Sequence, residues 1–525
     1  MNSFNIPVSR DLKTWVAFLL AVLSGFLVFC AFPPFNQGEI AFIALIPFVW
    51  ALRMLPESRC RLAYVAGLVF WLPSLWFLSP VTIPGAVLLA AYCALYWIPV
   101  GWVWGYFLRN WSPSEPLYSL RFVGGGAGVW CVMEQLRGIL LTGFPWNQLG
   151  ISQWQNYSLM QVAALGGPLM VSFILVALNL GIALSLISLF ENMGKHQARR
   201  MHPELYLPVL ILVIGFSWGG RELRRLIQVS EQSIRIGVIQ PLAANKWSEE
   251  LAQENFRVLW ELSDAALRLE PDLLLWPETS LPEELRYSRT AAEVVGSLVT
   301  SGTPLLLGSL DFETFSEDDT VERIYYNSSF LITPDGKLAS QYRKKHLVMF
   351  GEYMPFSRFL PFLRSLTPMP EDVSPGELPG VLPLPGTHLE LGMLICFEDL
   401  FSGMSAELVA EGASLLVNQT NDAWFDPLWG SEGHLAHAVF RSVEQRRPMV
   451  RATNSGVSAW IDTRGVVRDL IEDPLTGTRM IRGFKVFDVK IPEEPETTFF
   501  AKFPWAFPVV FWGMSLLLFR KKRGL

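Results

Sequence analysis

Hydrophobic and polar positions are arranged differently in three parts of this chain. Up to about residue 222 they form long apolar runs with few charges. From about 230 to 495 short apolar runs alternate with polar stretches, and residues 503–519 are apolar again. A helix that crosses a bilayer needs about 20 largely apolar residues. The first part therefore predicts seven spans, at 14–32, 38–52, 63–79, 84–108, 122–136, 158–190 and 205–219, and 503–519 predicts an eighth. The first resembles a signal sequence, but Phe32, Pro33, Pro34 and Phe35 follow it instead of a small-residue cleavage pattern, so it is expected to be retained.

The middle part reads differently. Strands are predicted at 234–240, 272–276, 304–310, 325–333, 389–396, 414–421, 449–453, 457–462 and 484–491. An apolar stripe at helical spacing marks a helix at 248–269, and further helices are expected at 402–411 and 432–445. Strands that alternate with helices, several apolar throughout, predict an α/β layered fold with covered sheets. The expected organisation is a membrane bundle at 1–225, an α/β domain at 230–495, and a last helix at 503–519 followed by the basic tail Arg520 to Arg523.

Basic residues fix the expected orientation. Arg10 and Lys13, then Arg53, Arg59 and Arg61, then Arg109 and Arg121, then Lys195, Arg199 and Arg200 fall on one set of loops, and the alternate loops are nearly bare. The basic set belongs inside. Both termini are then cytoplasmic and the α/β domain faces outward. Composition agrees, with 51% hydrophobic and 17% charged residues. A net charge of −6 without a concentrated basic face excludes a nucleic-acid partner. The spans carry almost no charge at mid-depth, which argues against a transporter. The exception is Glu134 with Arg137, beside the segment GILLTGFPW; Arg137 is either an interfacial arginine or a phosphate and headgroup contact.

Candidate chemistry gathers in the α/β part. Of five cysteines only Cys396 lies there, at the end of the run LELGMLIC, with no second cysteine for a disulfide or a metal site. A lone cysteine is most often core filler. Glu278 and Lys344, however, close two other strand-like runs. A thiol needs a base or a neighbouring positive charge to become a nucleophile, and Glu278 and Lys344 supply one of each; the competing reading is a structural ion pair beside an inert thiol. His434 and His437 are three apart on a helix, but without a carboxylate or cysteine set they read as surface or packing residues. No metal and no cofactor is expected.

Three ordered motifs carry a resemblance: WPET (Trp276 to Thr279), YRKKHLVMFGE (Tyr342 to Glu352) and Cys-Phe-Glu (Cys396 to Glu398). They resemble the signature of the nitrilase superfamily. Together with the membrane layout, GFPW (Gly143 to Trp146), NDAWF (Asn421 to Phe425) and RATNSG (Arg451 to Gly456), the chain resembles the apolipoprotein N-acyltransferase family over nearly its full length. The resemblance implies an αββα sandwich on a bundle of about eight transmembrane helices in a bacterial inner membrane. It implies transfer of a fatty acyl chain from a phospholipid donor to the α-amino group of a diacylglyceryl apolipoprotein. By the same resemblance Glu278 is base and acid, Lys344 the oxyanion stabiliser and Cys396 the nucleophile. Glu352 orients the lysine or the amine, and Trp247, Asn327, Glu398, His346, Phe397 and Arg137 support the site or contact substrate. Trp424 and Phe425, with residues 356–368, are candidates for an apolar cover that excludes water. Met349 and Phe397 depart from the family's proline and tyrosine at those positions, which removes a hydroxyl beside the thiol. A monomer is expected. The alternatives are a membrane-tethered amidase that hydrolyses a small carbon–nitrogen substrate and a transporter or scaffold with a degenerate domain.

Overall fold

The computed structural model describes residues 10–192, 201–243, 249–317, 320–354, 372–425 and 429–519. The chain divides into two compact units. One comprises Met1–Ile227, Phe425–Ala436 and Phe503–Leu525; the other comprises Gln228–Trp424 and His437–Lys502.

The first unit is helical: α1 (Arg10–Cys30), α2 (Ile46–Met54), α3 (Arg59–Ser74), α4 (Ile83–Leu95), α5 (Trp97–Asn110), α6 (Pro116–Arg137), α7 (Tyr157–Met160), α8 (Ala163–Asn192) and α9 (Pro203–Leu226). Small side chains let these helices approach closely. At Gly25 of α1, an added Cβ would stand 2.3 Å from the Ala66 carbonyl oxygen of α3. Among the described residues, four helices are long and apolar enough to cross a membrane: Arg10–Cys30, Ile83–Asn110, Ala163–Asn192 and Pro203–Leu226. A bent pair, Gly38–Met54 with Pro56–Ser74, adds a fifth if its 110° break lies within one span. The apolar pattern does not reveal such breaks. The 158–190 run is interrupted by non-helical Gly166 and Gly167 just before Pro168, where proline removes a backbone donor and glycine takes up the irregular dihedrals.

The second unit holds β1 (Glu231–Gln240), α10 (Glu249–Leu267), β2 (Leu273–Leu275), α11 (Arg289–Val299), β3 (Leu305–Glu317), β4 (Thr320–Ile332), β5 (Leu338–Arg343), β6 (Val381–Pro383), β7 (Glu390–Ile395), α12 (Ser402–Ala410) and β8 (Leu415–Thr420). It continues through α13 (Trp429–Gln445), whose first turns belong to the first unit, to β9 (Met449–Thr453), β10 (Ala459–Ile461), β11 (Val467–Leu470), β12 (Gly483–Pro492) and α14 (Phe499–Lys502). The chain then returns to the first unit through α15 (Ala506–Leu517). Two six-stranded mixed sheets form, in the orders β12-β1-β2-β3-β4-β5 and β11-β10-β9-β8-β7-β6. Side chains alternate across each strand, and the core follows that rule. Leu273 and Leu275 of β2 join Leu391, Met393 and Ile395 of β7 and Leu415 and Val417 of β8 between the sheets. Leu274 turns the other way, to Phe256, Leu259, Val295 and Leu298 of α10 and α11. Helix α12 packs on β7 of the second sheet. These layers are helix, sheet, sheet, helix.

Inclusion of Phe425–Ala436 in the helical unit departs from the sequence boundaries. The Phe425 ring lies 5.1 Å from Phe77 and 6.2 Å from Trp146, and Glu432 accepts from Asn36 Nδ2 at 3.1 Å. Aromatic packing thus draws a segment between two sandwich elements into the other unit.

Candidate active site

Three strand ends deliver the three chemical groups. β2 runs into Trp276 and Pro277 and then Glu278; β5 ends at Arg343, just before Lys344; β7 ends at Ile395, just before Cys396. Glu278 and Lys344 therefore stand on one sheet and Cys396 on the other. Two of the turns are backbone exceptions. Cys396 has φ +53° and Thr279 φ +40°, in a region that L residues seldom occupy and that clusters at functional sites. The Glu278 turn also lies tight on β3. A Cβ added to Gly308 would be 2.5 Å from the Pro277 carbonyl oxygen and 2.8 Å from the Glu278 Cα.

The polar groups are buried and mutually bonded. Lys344 Nζ donates to Glu352 Oε1 at 2.9 Å and lies 3.6 Å from Glu278 Oε1. Asn327 Nδ2, from β4, donates to both carboxylates, at 2.8 Å to Glu278 and 3.1 Å to Glu352. Glu352 Oε2 also accepts from the Val348 amide at 2.8 Å. Lys344 is 1% exposed and Glu278 7%. Burial pulls the Lys344 ammonium down, but Glu352, Glu278 and the Cys396 sulfur outweigh it and hold the group above the ordinary lysine range. Burial pushes the Cys396 thiol up, and the Glu278 carboxylate adds to that; Lys344 and a hydrogen bond from Thr420 oppose it. The thiol therefore stays protonated at neutral pH until a base takes its proton.

Glu398 holds the Cys396 turn in place. Its carboxyl accepts from Tyr342 Oη, the Lys345 and His346 amides, and the Ile395 amide at 2.7 Å. It thus ties the strand end that carries Cys396 to the one that carries Lys344. Burial pushes it up to about 7 against these donors and Lys344. Phe397 and His346 build an aromatic group with Phe401: His346 lies 3.9 Å from Phe401, and Phe397 5.4 Å from it.

Arg137 belongs to the helical unit. It is buried there, where Nη1 donates to the Phe144 and Trp146 carbonyls at 2.6 Å each and the guanidinium stacks over Trp71 at 4.6 Å. This use supports the GFPW loop. His434 and His437 are buried, as packing residues and not surface ones. Trp247 and residues 356–368 lie outside the described residues; the Trp424 backbone falls in the short turn Asp422–Trp424.

Sequence reasoning missed a buried charged group behind the thiol. Arg451 Nη1 donates to Asp399 Oδ2, and Arg451 Nη2 lies 3.7 Å from Asp422 Oδ2; all three side chains are fully buried. It also missed Gln419, whose Nε2 crosses from β8 to donate to the Trp276 carbonyl on the other sheet at 2.7 Å. The available signal was RATNSG, whose arginine follows an apolar run and had to find a buried partner.

Comparisons with known proteins bear on the whole chain. Residues 24–181 match the apolipoprotein N-acyltransferase N-terminal domain, and residues 235–476 match the carbon-nitrogen hydrolase family. An apolipoprotein N-acyltransferase of Geobacter metallireducens is 32% identical over 493 residues, which covers 90% of this chain and 88% of that one. The chain belongs to the apolipoprotein N-acyltransferase family. Apolipoprotein N-acyltransferase 1 of Treponema denticola is 30% identical over 529 residues, 92% of each chain. Among solved structures, a mutant of the Nesterenkonia AN1 amidase, of the nitrilase superfamily, is 18% identical and covers 54% of this chain and 99% of its own, with a TM-score of 0.37. The family membership and the two mixed sheets give the second unit a nitrilase-like fold.

Proposed function

We propose that the protein transfers a fatty acyl chain from a membrane phospholipid to the α-amino group of the N-terminal S-diacylglyceryl cysteine of apolipoproteins, as the last step of lipoprotein maturation. Relatives that carry the apolipoprotein N-acyltransferase name over nine tenths of the chain support the reaction. The observation that carries the assignment of residues is the buried Lys344 ammonium, 3.6 Å from Glu278, at a strand end that Glu398 ties to the strand end carrying Cys396. A structural ion pair has no need of a strained cysteine turn beside it.

In this reading Glu278 takes the Cys396 proton as the sulfur attacks the ester carbonyl. The tetrahedral oxyanion faces Lys344 and the Phe397 amide. Collapse breaks the ester C–O bond, and Glu278 returns the proton to the departing lysophospholipid oxygen. An acyl thioester remains on Cys396. The incoming α-amine, ordinarily near 7.7–8.0, attacks that thioester and gives its proton to Glu278. Glu278 then protonates the released sulfur. Glu352 and Asn327 hold Lys344 and Glu278 in register throughout.

Both substrates are anchored in lipid, which accounts for a catalytic unit in one chain with a helical bundle. We place that unit in the periplasm, with eight spans, α2, α3, α6 and α15 added to the four long apolar helices, and the protein in a bacterial inner membrane as a monomer. The deciding experiment incubates the full-length protein with phospholipid in vesicles and seeks an acyl adduct on Cys396 by mass spectrometry. An adduct discharged by an amine of diacylglyceryl peptide supports the reading. No adduct, with hydrolysis of a simple amide instead, replaces it with a tethered amidase.

A further inference from the structure

The charged group behind Cys396 has a hydroxyl at its front. Thr420 ends β8, which pairs in parallel register with β7 as far as Ile395 and Gln419, the residues immediately before Cys396 and Thr420. Thr420 is fully buried, and its Oγ1 lies 3.3 Å from Asp422 Oδ1. Asp422 in turn faces Arg451, which Asp399 also holds. Asn418 Nδ2 donates to the Cys396 carbonyl oxygen at 3.1 Å, which holds the backbone of the cysteine turn against this strand.

We propose that Thr420 is a further catalytic residue, whose single hydroxyl proton turns from Asp422 to the Cys396 sulfur when that sulfur becomes a thiolate. This rests on the nucleophilic role of Cys396 given above. A hydroxyl has one proton to donate. While the sulfur carries its own proton, the Asp422 carboxylate is the stronger acceptor. Once Glu278 has taken the thiol proton, the sulfur bears the negative charge and accepts a charge-assisted bond. When the thioester forms, the sulfur loses its charge and the hydroxyl returns to Asp422. The proton of Thr420 never leaves its oxygen; only its direction changes. Asp422 thereby keeps the hydroxyl aligned, and Arg451 and Asp399 keep Asp422 fixed. Donation from Thr420 favours the thiolate over the thiol and so opposes the upward push of burial.

The test measures alkylation of Cys396 by iodoacetamide in the full-length protein, quantified at neutral pH on the peptide that carries it. Thr420→Val keeps the volume and removes the hydroxyl; its alkylation rate is expected to fall about tenfold, the scale of one hydrogen bond to a charged group. Thr420→Ser restores the hydroxyl and is expected within about twofold of the parent on the same scale. If Thr420→Val does not fold, Thr420→Ala against Thr420→Ser makes the same comparison, with the thermal midpoint of each as the fold check. A hydroxyl-free variant that folds and alkylates at the parental rate overturns the proposal, as does a Thr420→Ser protein as slow as the hydroxyl-free one. A parent protein that alkylates normally but takes no acyl chain from phospholipid sinks the transferase reading and leaves this comparison readable.

Discussion

Glu278, Lys344 and Glu352 form two carboxylates around one ammonium, and that charge count decides what each substitution does. Removal of Lys344 leaves two buried carboxylates with a shared amide donor and no cation, a loss on the order of 3–5 kcal/mol. Lys344→Met is therefore expected to abolish acyl transfer and to lower the thermal midpoint. Adding Glu352→Gln should return part of the stability and none of the activity. Additive stability losses in that pair would contradict the shared network. Cys396→Ser should abolish acylation with folding retained, and Phe397→Tyr should be mild. The upward-shifted thiol gives a pH prediction with a definite sign. In Glu278→Gln, the internal base is gone and alkylation of Cys396 depends on free thiolate. Because burial holds the thiol above its ordinary value of about 8.5, that rate should climb about one decade per pH unit from neutral through the alkaline range. A plateau near neutrality would show that the thiol is not raised.

At the scale of the element, the site depends on how three strand ends stop. β7 was legible because Leu391, Met393 and Ile395 alternate with partners on the other face, and its cysteine is the only thiol in the α/β part. β2 was legible as an apolar run closed by a proline. β5 was seen only through its motif, since Leu338 to Ser340 are polar or exposed and give no period. Strands β6 and β11 were missed for the same reason, being short and at the sheet margins; helix α11 was missed although Ala291, Val295, Leu298 and Val299 fall at helical spacing. The ion pairs behind Cys396 could not be read because Asp399, Asp422 and Arg451 meet only after three strands assemble. The tight seat of the Glu278 turn on β3 yields a sharper test. Gly308→Ala introduces a Cβ into backbone less than 3 Å away, so the turn must move. A displacement near 1 Å costs about a hundredfold in rate. We expect that loss in kcat, measured by acyl transfer, with modest change in stability; a fully active Gly308→Ala protein would free Glu278 from that constraint.

For the whole molecule, the sequence pattern predicts an apolar helical part and an α/β part, and the structure divides into two compact units that meet in the chain at Ile227 and Gln228. What the pattern could not show is where helices break and where chain crosses between units. Residues Phe425–Ala436 lie in the α/β stretch by sequence but pack with Phe77, Trp146 and Asn36. Hydropathy cannot predict this, because one phenylalanine in a loop carries no period. The orientation also belongs to this scale. A reporter fused after Arg225 is expected on the periplasmic side, and a cytoplasmic signal from it would put Cys396 on the wrong side for lipoproteins.

Glu278 and Lys344 stand on one sheet and Cys396 on the other, with the bridge from Gln419 to the Trp276 carbonyl as the crosspiece. The oily filling between the layers thus acts as a shim that sets the gap between carboxylate and sulfur. Thinning it at Val417, three residues back along β8 from Thr420, would slow turnover and lower the melting temperature together.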